Sequence, residues 1–472
     1  MDGPPRGSRS VRRSRNSRHT RHSRHLYDRA IARLARAAAR LSRLSGAGAG
    51  SSIPGLVLQR LDPGFVSRKA AALPHGVVLV SGTNGKTTTT AMIRTILHAE
   101  GIPTVSNESG ANLFRGVAAA LADAPPGAQA GVFEVDEGAL ERVVRATRPR
   151  VLVLTNVFRD QLDRFGEPET VGRLLGRAAR AVTPRGRVVA NADDPMLWHR
   201  VRRWSPSGFG VLAPPGPERA RPEAEPETCP RCGAPLEYEA RTIGHLGRAR
   251  CCACAWRSPL PAHVAAVVEP PTLSSLRLDV SGIRIDLRAG GMHNAYNAAA
   301  AVAAAAELGV DPDRSGRALR GYRPRFGRAE EFALAGRTLW LALMKNPAGA
   351  SPLIEQLAQD DRVGAVIVSV SDDWMDGRDI SWIWDANFEA VAGMDVPLVA
   401  GGRRAADVAV RLKYAGHEPA AVEAGTREAI LAALARAPLG TAVPVLATYT
   451  AMLEVRRTLL RSRRAWVSDR AA

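Results

Sequence analysis

One hexapeptide constrains this chain more than anything else in it: Gly82-Thr83-Asn84-Gly85-Lys86-Thr87. It follows a short apolar run at 77–80 and precedes a segment at 91–99 with helical patterning. Strand, glycine loop, Lys-Thr and helix in that order make a phosphate-binding loop. The glycines let backbone N–H groups approach a phosphate, and the helix N-terminus adds its partial positive charge. Lys86 is expected to reach the terminal phosphates, and the Thr87 hydroxyl a Mg²⁺ ion. The loop is shorter than the usual pattern, because Val80 stands where the first glycine would fall.

The flanking sequence supports an α/β fold. Runs at 131–135, 151–154 and 187–190 are brief, rich in β-branched residues and separated by helical segments. That alternation predicts a parallel sheet covered by helices. Residues 211–228 are rich in proline and glutamate and mark a break. Regular patterning resumes near Leu276 and runs through an alanine-rich helix at 295–307. A second α/β stretch begins near Arg337, with strands expected at 365–370 and 396–400, which puts a boundary at about 328–336. The predicted organisation is a basic tail at 1–25, an amphipathic helix and linker at 26–52, an ATP-binding domain at 53–330 with an insertion at 222–262, and an α/β domain at 331–472.

Charge is concentrated at the ends of this 472-residue chain. The net charge is +19, yet residues 1–43 hold thirteen arginines against Asp2 and Asp28, and residues 456–472 hold six against Asp469. The body between is nearly neutral, which excludes a protein coated in positive charge. Residues 1–25 are low-complexity and have almost nothing to bury. In 26–44, Tyr27, Ile31, Leu34, Ala38 and Leu41 form an apolar stripe opposite Arg29, Arg33, Arg36, Arg40 and Arg43. That helix is expected against the body or an anionic membrane surface. No apolar run is long enough to span a membrane, and no secretory signal is expected.

All five cysteines lie within 229–254. Cys229 and Cys232 form one CxxC knuckle, and Cys251, Cys252 and Cys254 close the set. Four thiolates in two close pairs suit a tetrahedral structural Zn²⁺. Cys251 with Cys254 keeps the CxxC spacing and is preferred; Cys252 with Cys254 stays open. Gly233, Pro235, Tyr238 and Trp256 are expected to pack a small platform around the knuckles. The count bears on ammonia as well. A glutaminase of the usual kind needs a nucleophilic Cys paired with His. The one spare thiol sits inside the same knuckle, so a separate subunit is expected to supply ammonia.

The short loop resembles the ATP-binding loop of the Mur ligases and folylpolyglutamate synthases. So do Thr155-Asn156-Val157-Phe158-Arg159-Asp160-Gln161-Leu162-Asp163, Asn191-Ala192-Asp193-Asp194-Pro195 and Gly291-Met292-His293-Asn294-Ala295-Tyr296-Asn297, in the order the Mur ligase family shows. Within that family the resemblance is to the MurT ligase subunits. It is carried by Glu134-Val135-Asp136-Glu137, the cysteine insertion, Lys345-Asn346-Pro347-Ala348-Gly349, and Asp376-Gly377-Arg378-Asp379 before Ser381-Trp382-Ile383-Trp384-Asp385. It runs from about residue 28 to about residue 455.

This resemblance implies a Mur ligase-like ATPase domain with a zinc-ribbon insertion and a Rossmann-like, partner-binding C-terminal domain. It implies ATP-dependent conversion of the α-carboxylate of D-Glu in the lipid II stem peptide to D-isoglutamine through an acyl phosphate. Ammonia would come from a GatD-like glutaminase, at the cytoplasmic face of the plasma membrane. ATP, Mg²⁺ and Zn²⁺ are the expected cofactors. Residues 82–88, including Thr88, are expected to hold the nucleotide phosphates. Glu134 is implied as a Mg²⁺ ligand, Asn297 as an adenine contact and Arg328 as an arginine that meets ATP from between domains. Asp379 is implied to orient the partner's catalytic histidine.

Some positions depart from the family pattern. Gln161 stands where Mur relatives commonly have His, and no lysine between Lys86 and Lys345 offers the carbamylated group found near a second metal. The second metal site therefore stays open. Lys345-Asn346 replaces the Asp that commonly meets the ribose. Two other readings fit parts of the sequence. An amino-acid-joining Mur-like or folylpolyglutamate ligase is disfavoured by the zinc insertion and the Asp376–Asp379 segment. A nucleic-acid-binding zinc-ribbon ATPase is disfavoured by the scarcity of aromatics in the basic ends.

Overall fold

Alternating apolar residues in short strands build the first sheet. Val78, Val80, Val151 and Val153 point into one core cluster, while Val77, Leu79, Leu152 and Leu154 point into another on the opposite face. Both faces therefore need a helical cover. The computed structural model describes residues 53–468 apart from 108–110, 160–167, 183, 185, 213–227, 270, 325–329 and 392. The tail, the helix expected at 26–44 and its linker lie outside the described residues, as do Asp160, Gln161 and Arg328.

The chain opens with α1 (Ile53–Leu61) and α2 (Phe65–Ala71). It continues with β1 (Val77–Ser81), α3 (Lys86–Ala99), β2 (Thr104–Val105), α4 (Phe114–Ala122), β3 (Ala130–Glu134) and α5 (Glu137–Thr147). Next come β4 (Val151–Leu154), α6 (Pro168–Ala181), β5 (Arg187–Asn191), α7 (Pro195–Val201) and β6 (Ser207–Leu212). A hairpin of β7 (Leu236–Arg241) and β8 (Gly247–Cys251) interrupts the sheet before β9 (His263–Val267), β10 (Leu276–Val280), β11 (Ile283–Leu287), α8 (Met292–Glu307) and α9 (Pro312–Arg320).

These strands form a nine-stranded sheet in the order β11-β10-β9-β6-β5-β4-β1-β3-β2. It is parallel from β2 to β9. The far edge differs from the all-parallel expectation, because β9, β10 and β11 pair antiparallel. Ser281 (φ 54°) and Gly282 (φ 89°) make the two-residue turn between β10 and β11, whose left-handed backbone matches strand twist. The chain leaves β1 toward β2 on one side and β4 toward β5 on the other. This divergence opens a crevice at the strands' carboxyl ends, where α/β sheets bind ligands.

The second sheet runs β12 (Glu330–Leu334), β13 (Arg337–Leu343), β14 (Val366–Ser369), β15 (Leu398–Gly401), β16 (Ala421–Glu423) and β17 (Ala442–Ala447), in the order β12-β13-β17-β14-β15-β16. Only the β12–β13 pair is antiparallel. Helices α10 (Pro347–Leu357) and α11 (Ala405–Tyr414) cover one face; α12 (Thr426–Arg436) and α13 (Tyr449–Ser468) cover the other.

Candidate active site

The phosphate loop is held by the loop that follows β4. The Thr83 N–H donates to the Asn156 carbonyl at 2.9 Å, and the Asn84 N–H to Asn156 Oδ1 at 2.8 Å. The Thr83 hydroxyl accepts from the Phe158 N–H at 3.0 Å. Glycine is required at two points. Gly82 has φ +125°, and a Cβ there would stand 2.3 Å from Thr155 Oγ1. Gly85 has φ +84°, and its Cβ would stand 2.2 Å from Asn297 Oδ1. The helix after the loop starts at Lys86, five residues earlier than the apolar pattern suggests, because a run of four threonines carries no apolar periodicity.

Lys86 Nζ donates to Glu137 Oε1 at 2.8 Å and to the Thr83 carbonyl at 3.2 Å. Its ammonium is thus held at the loop mouth, with side chains on both sides nearly buried. The Thr87 hydroxyl donates to Glu134 Oε2. Glu134 ends β3, and Asn107 fixes its backbone by accepting from its N–H at 3.0 Å and donating to its carbonyl at 2.8 Å. A hydroxyl and a carboxylate that meet beside a phosphate loop are hard oxygen donors of the kind Mg²⁺ takes. The residues present fit that ion.

Asn297 lies beside the loop on α8. Its Oδ1 accepts from the Thr89 hydroxyl at 3.2 Å, and its Nδ2 donates to Asn294 Oδ1 at 3.0 Å. Burial pushes His293 down to about 4, so its imidazole is neutral near pH 7 and adds no positive charge to the cleft. From the second sheet, Lys345 Nζ donates to the Thr83 carbonyl at 3.1 Å. Asn346 donates through Nδ2 to Asn84 Oδ1 at 3.2 Å and caps α10 by accepting from the Gly349 N–H at 2.9 Å. The two domains thus meet over the loop and enclose a cleft of about 760 Å³. Residues 83–88, Glu134, Asn297 and Lys345 all line it.

Asp379 stands elsewhere. It is exposed, does not line the cleft, and accepts from the Ser381 N–H at 2.8 Å, a bond that holds its carboxyl below the usual range. Its neighbour Asp376 faces the cleft and accepts from the Thr450 N–H at 2.8 Å; burial raises its pKa.

The four sulfurs of Cys229, Cys232, Cys251 and Cys254 lie within 4.8 Å of one another. Tetrahedral zinc at about 2.3 Å from each sulfur needs sulfur separations of about 3.8 Å, so this donor set could hold it. Cys252 is exposed and outside the cluster. Leu236, Ala249, Trp256 and Tyr238 pack beside the cysteines as a small separate core.

Sequence reading missed the roles of Glu137 and Asn156. Glu137 follows Glu134 at a spacing that turns a second carboxylate toward the loop as α5 begins. Asn156 stands in the signature at 155–163, but nothing in that segment shows that it will clasp the phosphate loop.

The fold and loop define the class: a Mur-type ligase with two nucleotide-facing α/β domains. The Mur ligase middle-domain model matches residues 80–210, and the MurT ligase C-terminal model matches 343–452. The chain is 36% identical over 419 residues to the lipid II isoglutaminyl synthase (glutamine-hydrolyzing) subunit MurT of Streptococcus pneumoniae, covering 87% of this chain and 93% of that one. It is 31% identical over 411 residues to the Staphylococcus aureus subunit MurT, covering 86% and 92%. Among solved structures, a pseudomurein peptide ligase type C from Methanothermus fervidus shares the fold at a TM-score of 0.65 and 22% identity, over 82% of this chain and 78% of that one. This chain belongs to the MurT family of Mur ligases.

Proposed function

We propose that this chain is the ligase subunit of a two-subunit enzyme that amidates the α-carboxylate of D-Glu in the lipid II stem peptide. The observation that carries the reading is the cleft itself: a short phosphate loop whose Thr87 meets Glu134, closed over by Lys345 and Asn346. A carboxylate oxygen attacks the γ-phosphorus of ATP, ADP leaves, and an acyl phosphate remains. Ammonia then attacks the acyl carbon and inorganic phosphate leaves, giving D-isoglutamine. The crowded negative charge must be offset by fixed positive groups, and such positioned electrostatics supply most of the rate. Lys86 supports the terminal phosphates. Thr87 and Glu134 would hold Mg²⁺, which when bound neutralises phosphate charge.

The residues from 82 to 88 cradle the phosphates, Asn297 faces the base, and Arg328 is the interdomain arginine of the same set. The four cysteines hold structural Zn²⁺. Ammonia comes from a GatD-like glutaminase docked on the C-terminal domain, and the exposed Asp379 orients the partner's catalytic histidine. The enzyme works at the inner face of the plasma membrane, and the basic helix expected at 26–44 lies against the body or the anionic lipid there. Among the described residues no helix is long and apolar enough to cross a membrane.

The test mixes the purified chain with ATP, Mg²⁺, lipid II and ammonium and reads product mass. Amidated lipid II is expected. Product formed only with an added amino acid, or none at all, would sink the reading.

A further inference from the structure

The β7–β8 hairpin has two unlike ends. At its open end Cys232 is exposed, Cys251 and Cys254 are half-buried and Cys229 is buried in the hairpin's own small core. At its closed end the turn is buried: Thr242, Ile243 and Leu246 are at most 5% exposed. Six residues of β7 carry the chain about 20 Å between these ends. The turn belongs to the core of the ATP-binding domain, not to the hairpin's own small core.

Three sets of contacts fix it there. The Tyr296 hydroxyl, on α8, donates to Asp193 Oδ2 at 2.9 Å and meets the Thr242 hydroxyl at 2.5 Å. The Gly247 N–H donates to the Asp193 carbonyl at 2.8 Å. The His245 ring packs on Phe158 with centroids 4.7 Å apart, and Phe158 is the residue that clasps Thr83 of the phosphate loop. From this anchorage Ile243 and Leu246 line the cleft beside Phe158, Phe209 and Tyr296, next to Asn297.

With phosphates at the loop, the heterocycle of the nucleotide lies away from it. A purine offers two apolar faces and a few polar edge atoms, so its pocket needs apolar walls and a few amide groups. The lobe beside Asn297 supplies both. We infer that the buried turn at 242–246 is part of the nucleotide site, and that Ile243 and Leu246 form an apolar wall for the purine base. The inserted hairpin thereby acts as a strut, clamped by its cysteines at one end and delivering base contacts at the other. This inference rests on reading the cleft as an ATP site.

Calorimetric titration with Mg²⁺-ATP and, separately, Mg²⁺-tripolyphosphate tests it, because the second ligand has phosphates and no base. Ile243→Ala should weaken ATP about tenfold and leave tripolyphosphate affinity within about twofold. Ile243→Leu should restore most of the ATP affinity. Unchanged ATP affinity in Ile243→Ala, or equal weakening of both ligands, would overturn the inference. A wild-type chain that binds neither ligand would overturn the ATP reading and this inference with it; one that binds both but is insensitive at 243 overturns the inference alone.

Discussion

Two loops leave the carboxyl ends of central parallel strands, and they are built in opposite ways. The loop after β1 is half-buried and tied down: Thr83, Asn84 and Lys86 each have partners, drawn from both domains. The loop after β14 lines the cleft through Asp376 and Gly377 but leaves its large apolar side chains in water. It exposes Trp374 at 79% and Met375 at 44%, and ten residues further along the chain Trp384, 48% exposed, packs edge-on against Tyr414, itself 76% exposed. Arg378 and Asp379 lie between these aromatics in sequence and are exposed as well. A rigid, polar-lined loop suits a small anionic ligand that must be held still. A clustered aromatic surface is costly to leave in water and suits a protein partner. If these readings hold, the same topological position serves chemistry in one sheet and association in the other.

Substitutions on each side should separate these roles. The largest effect is expected at the first loop. Lys86→Ala should lower ammonium-driven amidation by about 10³-fold, because a fixed charge on the transferring phosphoryl group is lost. Partner affinity, measured by ultracentrifugation or calorimetry, should not move. A loss of partner binding in that variant would break the comparison.

A smaller effect is expected on the aromatic surface. Trp374→Ala should weaken binding of the glutaminase subunit by about tenfold or more, as truncation of a central aromatic anchor does. Because Trp374 also reaches the cleft rim, its ammonium-driven rate is the control, and that rate should fall less than partner affinity does.

A third effect touches neither rate nor partner affinity but the stability of the first region. Burial lifts Asp193 from 3.8 to about 6, against the lowering effect of the Val211 N–H and the Tyr296 hydroxyl. A carboxyl raised in the folded state favours the fold when neutral. That contribution is full below the unfolded pKa, fades as pH rises, and is gone above the folded pKa. Relative to Asp193→Asn, the wild-type chain should therefore lose stability between about pH 4 and pH 6, by on the order of 3 kcal/mol, and show a level difference above that. Urea unfolding across this range reads it; a level difference throughout would mean that Asp193 ionises without penalty.

Much of this architecture was legible in the sequence because it rests on local rules. The run at 151–154 reads as a buried strand from its residues alone, and β4 occupies Val151–Leu154. The hexapeptide 82–87 announces its own loop, since only glycine satisfies its left-handed and close-approach positions. Features that depend on distant partners were not legible. Nothing near Lys345 shows that its ammonium will meet the Thr83 carbonyl, 262 residues away in the chain. The antiparallel edge formed by β9 to β11 follows from pairing rather than strand propensity. Cysteine spacing preferred Cys251 over Cys252 and could not decide between them; the sheet register does, because β8 ends at Cys251 and turns its sulfur toward Cys232 at 3.4 Å. The buried turn at 242–246 did leave a trace: Ile243 and Leu246 are apolar residues in a hairpin turn, where polar ones are the rule.

The most direct measurement of the central claim, that one loop does the chemistry and the other serves the partner, uses Asp379→Asn in the reconstituted two-subunit enzyme. Amidation of lipid II is followed by mass with glutamine and, separately, with ammonium as the nitrogen source. Glutamine-driven amidation is expected to fall about a hundredfold or more, as when a histidine loses its orienting carboxylate, while ammonium-driven amidation stays within about twofold. Equal loss with both nitrogen sources would place Asp379 in the ligase chemistry and contradict the division between the two loops.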